Sequence, residues 1–255
     1  MIPPDNAGAP ACLEIRAAVA TLWLNRVQQA NALSADLVEA LIAHTTTAFA
    51  DTALHTLVLR SAGRHFCSGF DMSDLEQQSD GDLLWRFVRI ETLLDTLWNA
   101  PVRTIAVADS RAWGAGADLF AACDLRIALP QANFAFPGSR FGLVLGTRRL
   151  AARVGREPAV EIASAARILD AREAHRCGLA SHLCDAEALD DLLAQLAGTG
   201  TAQRDVGEAL RCAARAGEAA LRDSDLAALV RSATRSGLKQ RLADYRAAVR
   251  RSAGR

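Results

Sequence analysis

The chain has 255 residues, 51% apolar, 23% charged and 5% aromatic, enough to bury one large core or one core with an appendage. Lys+Arg and Asp+Glu both number 29, so the formal charge is zero. High apolar content without net charge excludes disorder as the dominant state, and it offers no global attraction to nucleic acid or to an anionic membrane.

Nearly every base is arginine. Lys239 is the only lysine; it falls in a charged helical stretch and reads as a solvated surface residue rather than a Schiff-base former. Cys12, Cys67, Cys123, Cys177, Cys184 and Cys212 form no C-x-x-C pair, and most read as small core residues of a reducing compartment. The five histidines make no metal-ligand pattern, so no metal site is expected. No apolar run approaches the roughly 20 residues that span a bilayer. The start, Met1-Ile2-Pro3-Pro4-Asp5, lacks the basic region of a signal peptide, and a cytoplasmic location is expected.

In chain order, Cys12 to Asn25 alternates loosely and predicts two short strands. After the loop Arg26 to Leu33, Ser34 is placed to cap a helix whose Leu37, Leu41, His44 and Ala48 share a face. His55 to Ser61 is a short apolar run typical of a buried parallel strand. A long helix is predicted from about Asp80 to Asn99, with Leu84, Phe87, Glu91, Leu94 and Trp98 at helical spacing. Strands are expected at Val102 to Asp109, Asp124 to Ala128 and Leu179 to Cys184. Helices are expected after Gly114-Ala115-Gly116, over Gly146 to Gly155, Glu157 to Arg167 and Ala171 to Cys177, and almost continuously from Ala186, with breaks near Gly198-Thr199-Gly200 and Gly237. This alternation implies an α/β core with right-handed crossovers over residues 1–196 and a helical segment over 197–255. Leu226, Leu229, Val230, Leu238, Leu242, Tyr245 and Val249 of that segment need cover, for which a neighbouring subunit is the expected source.

Two strand-to-loop junctions invite chemistry, Ser61 to Met72 and Asp109 to Asp118. Gly69 permits a backbone twist that turns the Phe70 amide into a cleft, and Gly114 and Gly116 let the backbone at Ala115 approach a ligand at a helix N-terminus. Two such amides converging on one carbonyl oxygen would form an oxyanion hole. A dinucleotide-binding loop is rejected, because the third glycine is replaced by Leu119 and no acid follows at the required distance.

Residues 12–185 resemble the crotonase, or enoyl-CoA hydratase/isomerase, superfamily. The motifs are Leu24-Asn25-Arg26 with Asn31-Ala32-Leu33, Phe66-Cys67-Ser68-Gly69-Phe70-Asp71, Gly114 to Leu119 through Ala122 to Ala128, and Phe134-Ala135-Phe136-Pro137. The resemblance implies an α/β fold, a crotonase-like ββα spiral core with a C-terminal α-helical oligomerisation segment, assembled as a homotrimer or homohexamer. It implies an acyl-CoA thioester substrate, coenzyme A entering as part of that substrate, with no separate cofactor. Phe70 and Ala115 map onto the oxyanion amides and Asp118 onto the first catalytic glutamate, one methylene (about 1.5 Å) shorter. Arg26, Ala32, Phe66, Ser68, Asp71 and Met72 fall in the segments that hold coenzyme A. The second glutamate position is Gly138, so weak hydration of crotonyl-CoA is expected, improved by Gly138→Glu if the pocket is otherwise preserved. His65 and Asp74 are the nearest titratable groups in the motif loop. Thioester hydrolysis, decarboxylation and non-catalytic acyl-CoA binding are the alternatives to hydration.

Overall fold

Apolar runs too long to stay exposed line up as neighbouring strands. The computed structural model describes residues 8–198, 204–215 and 221–253. In chain order these form β1 (Ala11–Arg16), β2 (Val19–Leu24), α1 (Ala35–Ala50), β3 (Thr56–Ser61), α2 (Asp80–Trp98), β4 (Arg103–Ala108) and β5 (Arg111–Trp113). Then come α3 (Ala115–Ala122), β6 (Leu125–Ala128), β7 (Asn133–Ala135), α4 (Thr147–Val154), α5 (Arg156–Ala165) and β8 (Leu169–Asp170). The chain continues through α6 (Ala171–Arg176), β9 (His182–Leu183), α7 (Leu189–Gly198), α8 (Arg204–Ala214), α9 (Arg222–Ala233) and α10 (Leu238–Ala253).

A six-stranded sheet runs β1-β2-β3-β4-β6-β9, parallel except for the antiparallel β1–β2 hairpin. A second sheet runs β5-β7-β8. Two turns, β4–β5–α3 and β6–β7–α4, each give one strand to the large sheet, one to the small sheet and then a helix. Period-2 alternation in the strands divides their side chains between two layers. Val58, Ile105, Val107 and Ile127 meet Leu189 and Leu193 of α7, while Leu57, Leu59, Ala106, Ala108 and Ala128 face the main core.

Ser34 accepts the Leu37 amide at the start of α1, and Ser79 with Asp82 closes a reciprocal capping box on α2. The small sheet is absent from the sequence expectations, because strands of two or three residues are too short to show a period. The expected last strand, Leu179 to Cys184, pairs only at His182–Leu183. Gly237, at φ +73°, ends the turn between α9 and α10, whereas the expected break at Thr199-Gly200 lies outside the described residues. Lys239 is a surface staple: its Nζ donates to the Glu76 carbonyl and its backbone N–H to Asp80. Cys12, Cys67 and Cys123 are buried, Cys177 and Cys184 are partly covered, and Cys212 is exposed.

The expectation that a neighbouring subunit must cover the C-terminal helices is corrected in part. Leu229, Leu238 and Leu242 are buried within the chain's own main core, and Tyr245 packs against it, so α9 and α10 fold back on their own spiral. Leu226 and Val249 stay exposed.

Beneath α3, the Phe120 ring meets Phe66 edge-on at 6.2 Å and Phe134 at 4.6 Å. Such pairs contribute about 0.5–1.5 kcal/mol beyond area burial. Phe120→Ala is therefore expected to lower stability by about 3–5 kcal/mol, measured by urea unfolding.

Candidate active site

The site is assembled by a loop that behaves as a short strand on both of its sides. Cys67 forms a parallel bridge with Ala112 of β5, and Phe70 forms one with Leu33. In the second bridge Leu33 N–H donates to the Gly69 carbonyl at 2.7 Å, and Asp71 N–H donates to the Leu33 carbonyl at 3.2 Å. The peptide groups on either side of Phe70 thus serve Leu33, and the alternation of strand backbone turns the Phe70 N–H to the opposite side. That N–H donates to no protein acceptor, and neither does the N–H of Ala115, the first residue of α3.

Three glycines bring these peptides together. A Cβ on Gly69, which has φ +95°, would stand 2.7 Å from the Trp113 carbonyl oxygen and 3.6 Å from the Ala115 nitrogen. One on Gly114 would stand 3.8 Å from the Gly69 Cα, and one on Gly116 would collide with the Cys67 carbonyl and lie 2.7 Å from the Cys67 Cβ. The first turn of α3 therefore rests directly on the loop, which only hydrogen at Gly69 and Gly116 allows, while Gly114 serves through its left-handed backbone at φ +52°.

Phe70, Ala115 and Asp118 all line a cavity of about 370 Å³, closed elsewhere by residues such as Phe87, Leu143 and Leu150. Asp118, one turn into α3, is 4% exposed, and its Oδ1 has no hydrogen-bond partner. Its side chain is pressed against Gly146, the N-cap of α4 at φ +66°, where a Cβ would overlap the carboxyl and lie 3.0 Å from the Asp118 Cβ. Burial pushes the Asp118 carboxyl well above the ordinary carboxylate range; Arg149 opposes the rise and Glu91 adds to it. The Arg149 guanidinium is fully buried and donates to both Glu91 oxygens, at 2.6 and 3.1 Å, with Asp95 at 3.9 Å and Asp225 at 3.8 Å. Its charge is already answered by Glu91, so burial governs Asp118 and favours the protonated form.

The residues expected to hold coenzyme A separate into three groups. Ser68 and Met72 line the cavity. Arg26 and Asp71 bind each other at 2.8 Å, and Arg26 also donates to the Ala32 carbonyl at 2.6 Å, so these three join the Arg26–Leu33 loop to the motif loop. Although burial opposes it, the Ser73 amide and the Arg26 guanidinium keep the Asp71 carboxyl below the usual range. Phe66 is fully buried under α3, and its ring belongs to the core rather than to the cavity wall. His65 is partly buried and Asp74 is exposed; neither lines the cavity.

Gly138 does line the cavity, but a Cβ there would stand 2.9 Å from the Leu143 carbonyl oxygen, and the Leu143 N–H donates back to the Gly138 carbonyl at 2.9 Å. The condition attached to Gly138→Glu, a pocket otherwise preserved, is therefore not met, because the Leu143 backbone would have to move. Glu91, Arg149 and Gly146 are absent from the expected site. A signal existed for Glu91, since a glutamate inside the apolar stripe of a helix must find a buried partner.

The family model for enoyl-CoA hydratase/isomerase matches residues 14–236. The chain belongs to the enoyl-CoA hydratase/isomerase family. A crystal structure of a "putative enoyl-CoA hydratase/isomerase" from Bordetella parapertussis is 43% identical with a TM-score of 0.88, covering 92% of this chain and 98% of that one. A probable enoyl-CoA hydratase of Mycobacterium tuberculosis is 34% identical over 186 residues, 71% of this chain and 74% of the relative. Human mitochondrial methylglutaconyl-CoA hydratase is 30% identical over 171 residues, 66% of this chain and 50% of that protein. This chain thus spans about half the length of the mammalian relatives it matches. Its sheets and helices are those of the crotonase fold shared with these structures.

The raised carboxyl carries a stability consequence. The folded protein keeps a proton that the unfolded chain releases near pH 3.9, the ordinary aspartate value, so Asp118 makes stability fall as pH rises above about 3.9 toward its folded value. Asp118→Asn removes that contribution. Denaturant midpoints should decline less for the variant than for wild type as pH rises above about 3.9, and equal slopes would contradict the raised carboxyl.

Proposed function

We propose that the protein performs enolate chemistry on an acyl-CoA thioester, with hydration of a 2-enoyl-CoA as the reaction. The observation that supports this reading is that Phe70 and Ala115, whose N–H groups donate to no protein acceptor, line one apolar cavity together with Asp118, whose buried carboxyl is shifted toward its protonated form. The two amides would receive the thioester oxygen as negative charge develops on it. Asp118 is the only carboxyl on the cavity wall among the described residues.

One protonated carboxyl is sufficient for a balanced addition. Water oxygen bonds to the β-carbon while the α,β π-electrons move toward the thioester oxygen held by the amides. One Asp118 oxygen passes its proton to the α-carbon, and the other takes a proton from the water. The carboxyl ends neutral, as it began. A lone group performing both transfers is expected to be slower than a pair, so crotonyl-CoA hydration should fall below about 10³ s⁻¹. A second reading, hydrolysis or decarboxylation of the thioester on the same amides, is favoured by the same single carboxyl, because both need fewer acid–base groups.

Asp118→Asn should lower turnover of crotonyl-CoA by about 10²–10⁴-fold while coenzyme A ester binding persists. Wild-type activity should hold at low pH and decline as pH rises through the raised Asp118 pKa, a decline measurable in kcat profiles. Ala115→Pro removes one donor at the first helical position, where proline is tolerated, and should abolish turnover with little change in Tm. Unchanged turnover in Ala115→Pro would contradict the oxyanion role.

Assembly into a homotrimer or homohexamer through the C-terminal helices belongs to the same proposal, supported by the exposed Leu226 and Val249. Sedimentation should give a trimer or hexamer; a stable monomer at micromolar concentration would contradict it.

A further inference from the structure

The Phe70 amide sits in a loop entered through glycine, and an oxyanion donor works only if it is fixed before the substrate arrives. One side chain outside the loop meets both the Phe70 ring and the carbonyl of Asp71 that follows it. Arg86, on α2, is half-buried, and its Nη2 donates to the Leu33 carbonyl at 3.1 Å and to the Asp71 carbonyl at 2.9 Å. Its Nη1 donates to Gln78 Oε1 at 3.0 Å. The guanidinium carbon lies 4.1 Å from the centroid of the Phe70 ring. The same ring stacks on Phe87, the next residue of α2, at 4.3 Å and 17°.

Two consecutive α2 residues thus grip the Phe70 ring, and Arg86 also binds one carbonyl on each side of the Leu33–Phe70 bridge. Rotating the Phe70 peptide would break the stack, the Asp71 bond or the bridge itself. Bonds from a charged donor are about twice as strong as neutral ones, and a planar guanidinium can fork and stack together, which a lysine ammonium cannot. We propose that Arg86 is a positioning residue for the thioester-polarising amide of Phe70. The inference rests on the oxyanion reading above and goes beyond it, because Arg86 neither lines the cavity nor meets the reacting atoms.

The test reads polarisation directly. Butyryl-CoA isotopically labelled at its carbonyl carbon is bound to wild type, Arg86→Met and Arg86→Lys, and the thioester carbonyl stretch is followed by difference infrared spectroscopy, with dissociation constants by calorimetry. Wild type should lower the stretching frequency. Arg86→Met should lose at least about half of that shift, with kcat down about 10- to 100-fold and the dissociation constant changed less than about threefold, since a misplaced group costs rate before it costs binding. Arg86→Lys should recover only part. If Arg86→Met does not fold, Phe70→Leu, which keeps the amide and removes the stack, should show the same partial loss of shift. A full wild-type shift in the folded Arg86→Met protein, or in Phe70→Leu when that stands in, would overturn the inference and leave the oxyanion reading intact. No shift in wild type would overturn the oxyanion reading, and this inference with it.

Discussion

Three peptide backbones lie in contact where side chains would normally hold them apart, and the rest of the site depends on that contact. The Cα of Gly116 rests on the Cys67 peptide, Gly69 turns beneath the Trp113 carbonyl, and Gly114 faces the Gly69 Cα. A strand backbone and a helix N-terminus share one wall only because no Cβ intervenes. The consequence is chemical: α3 opens with unpaired N–H groups and the positive end of its dipole, directly beside the loop that carries the Phe70 amide. The aromatic cluster of Phe66, Phe120 and Phe134 supports this arrangement from below, so core packing and amide placement are one problem.

Electrostatics then sets what the lone carboxyl can do. An aspartate in an apolar cavity could be held ionised by the buried Arg149, but Glu91 takes that guanidinium in a two-pronged pair, and Asp95 and Asp225 surround it. A buried ion pair contributes little net stability, whereas losing one partner costs about 3–5 kcal/mol. The pair therefore persists as a nearly neutral unit, and burial governs Asp118. In the hydration proposed above, a carboxyl shifted toward its protonated form would deliver a proton first and recover one from water, unlike a site that begins with a base.

Much of this was legible in the sequence. The long buried strands, the Ser34 cap, the α2 stripe and the glycine-flanked Phe70 and Ala115 all carry local signals, because apolar period and glycine placement are written residue by residue. The small sheet was not legible, since Arg111–Trp113, Asn133–Ala135 and Leu169–Asp170 are strands only through their partners. The fold-back of Leu229, Leu238 and Leu242 onto the core was hidden for the same reason: periodicity shows that a face needs cover and not what covers it. Gly146 and Arg149 meet Asp118 and Glu91 across long stretches of chain, as does Arg26 with Asp71, a tie between two loops that no local pattern shows.

The central claim is that two backbone amides and one protonated carboxyl converge on a single thioester. A crystal structure with a non-reactive acyl-CoA bound tests it most directly. The account predicts the thioester oxygen at about 2.7–3.1 Å from both the Phe70 and Ala115 nitrogens, with the Asp118 carboxyl facing the α- and β-carbons. A thioester bound elsewhere, or an oxygen that meets neither amide, would contradict it.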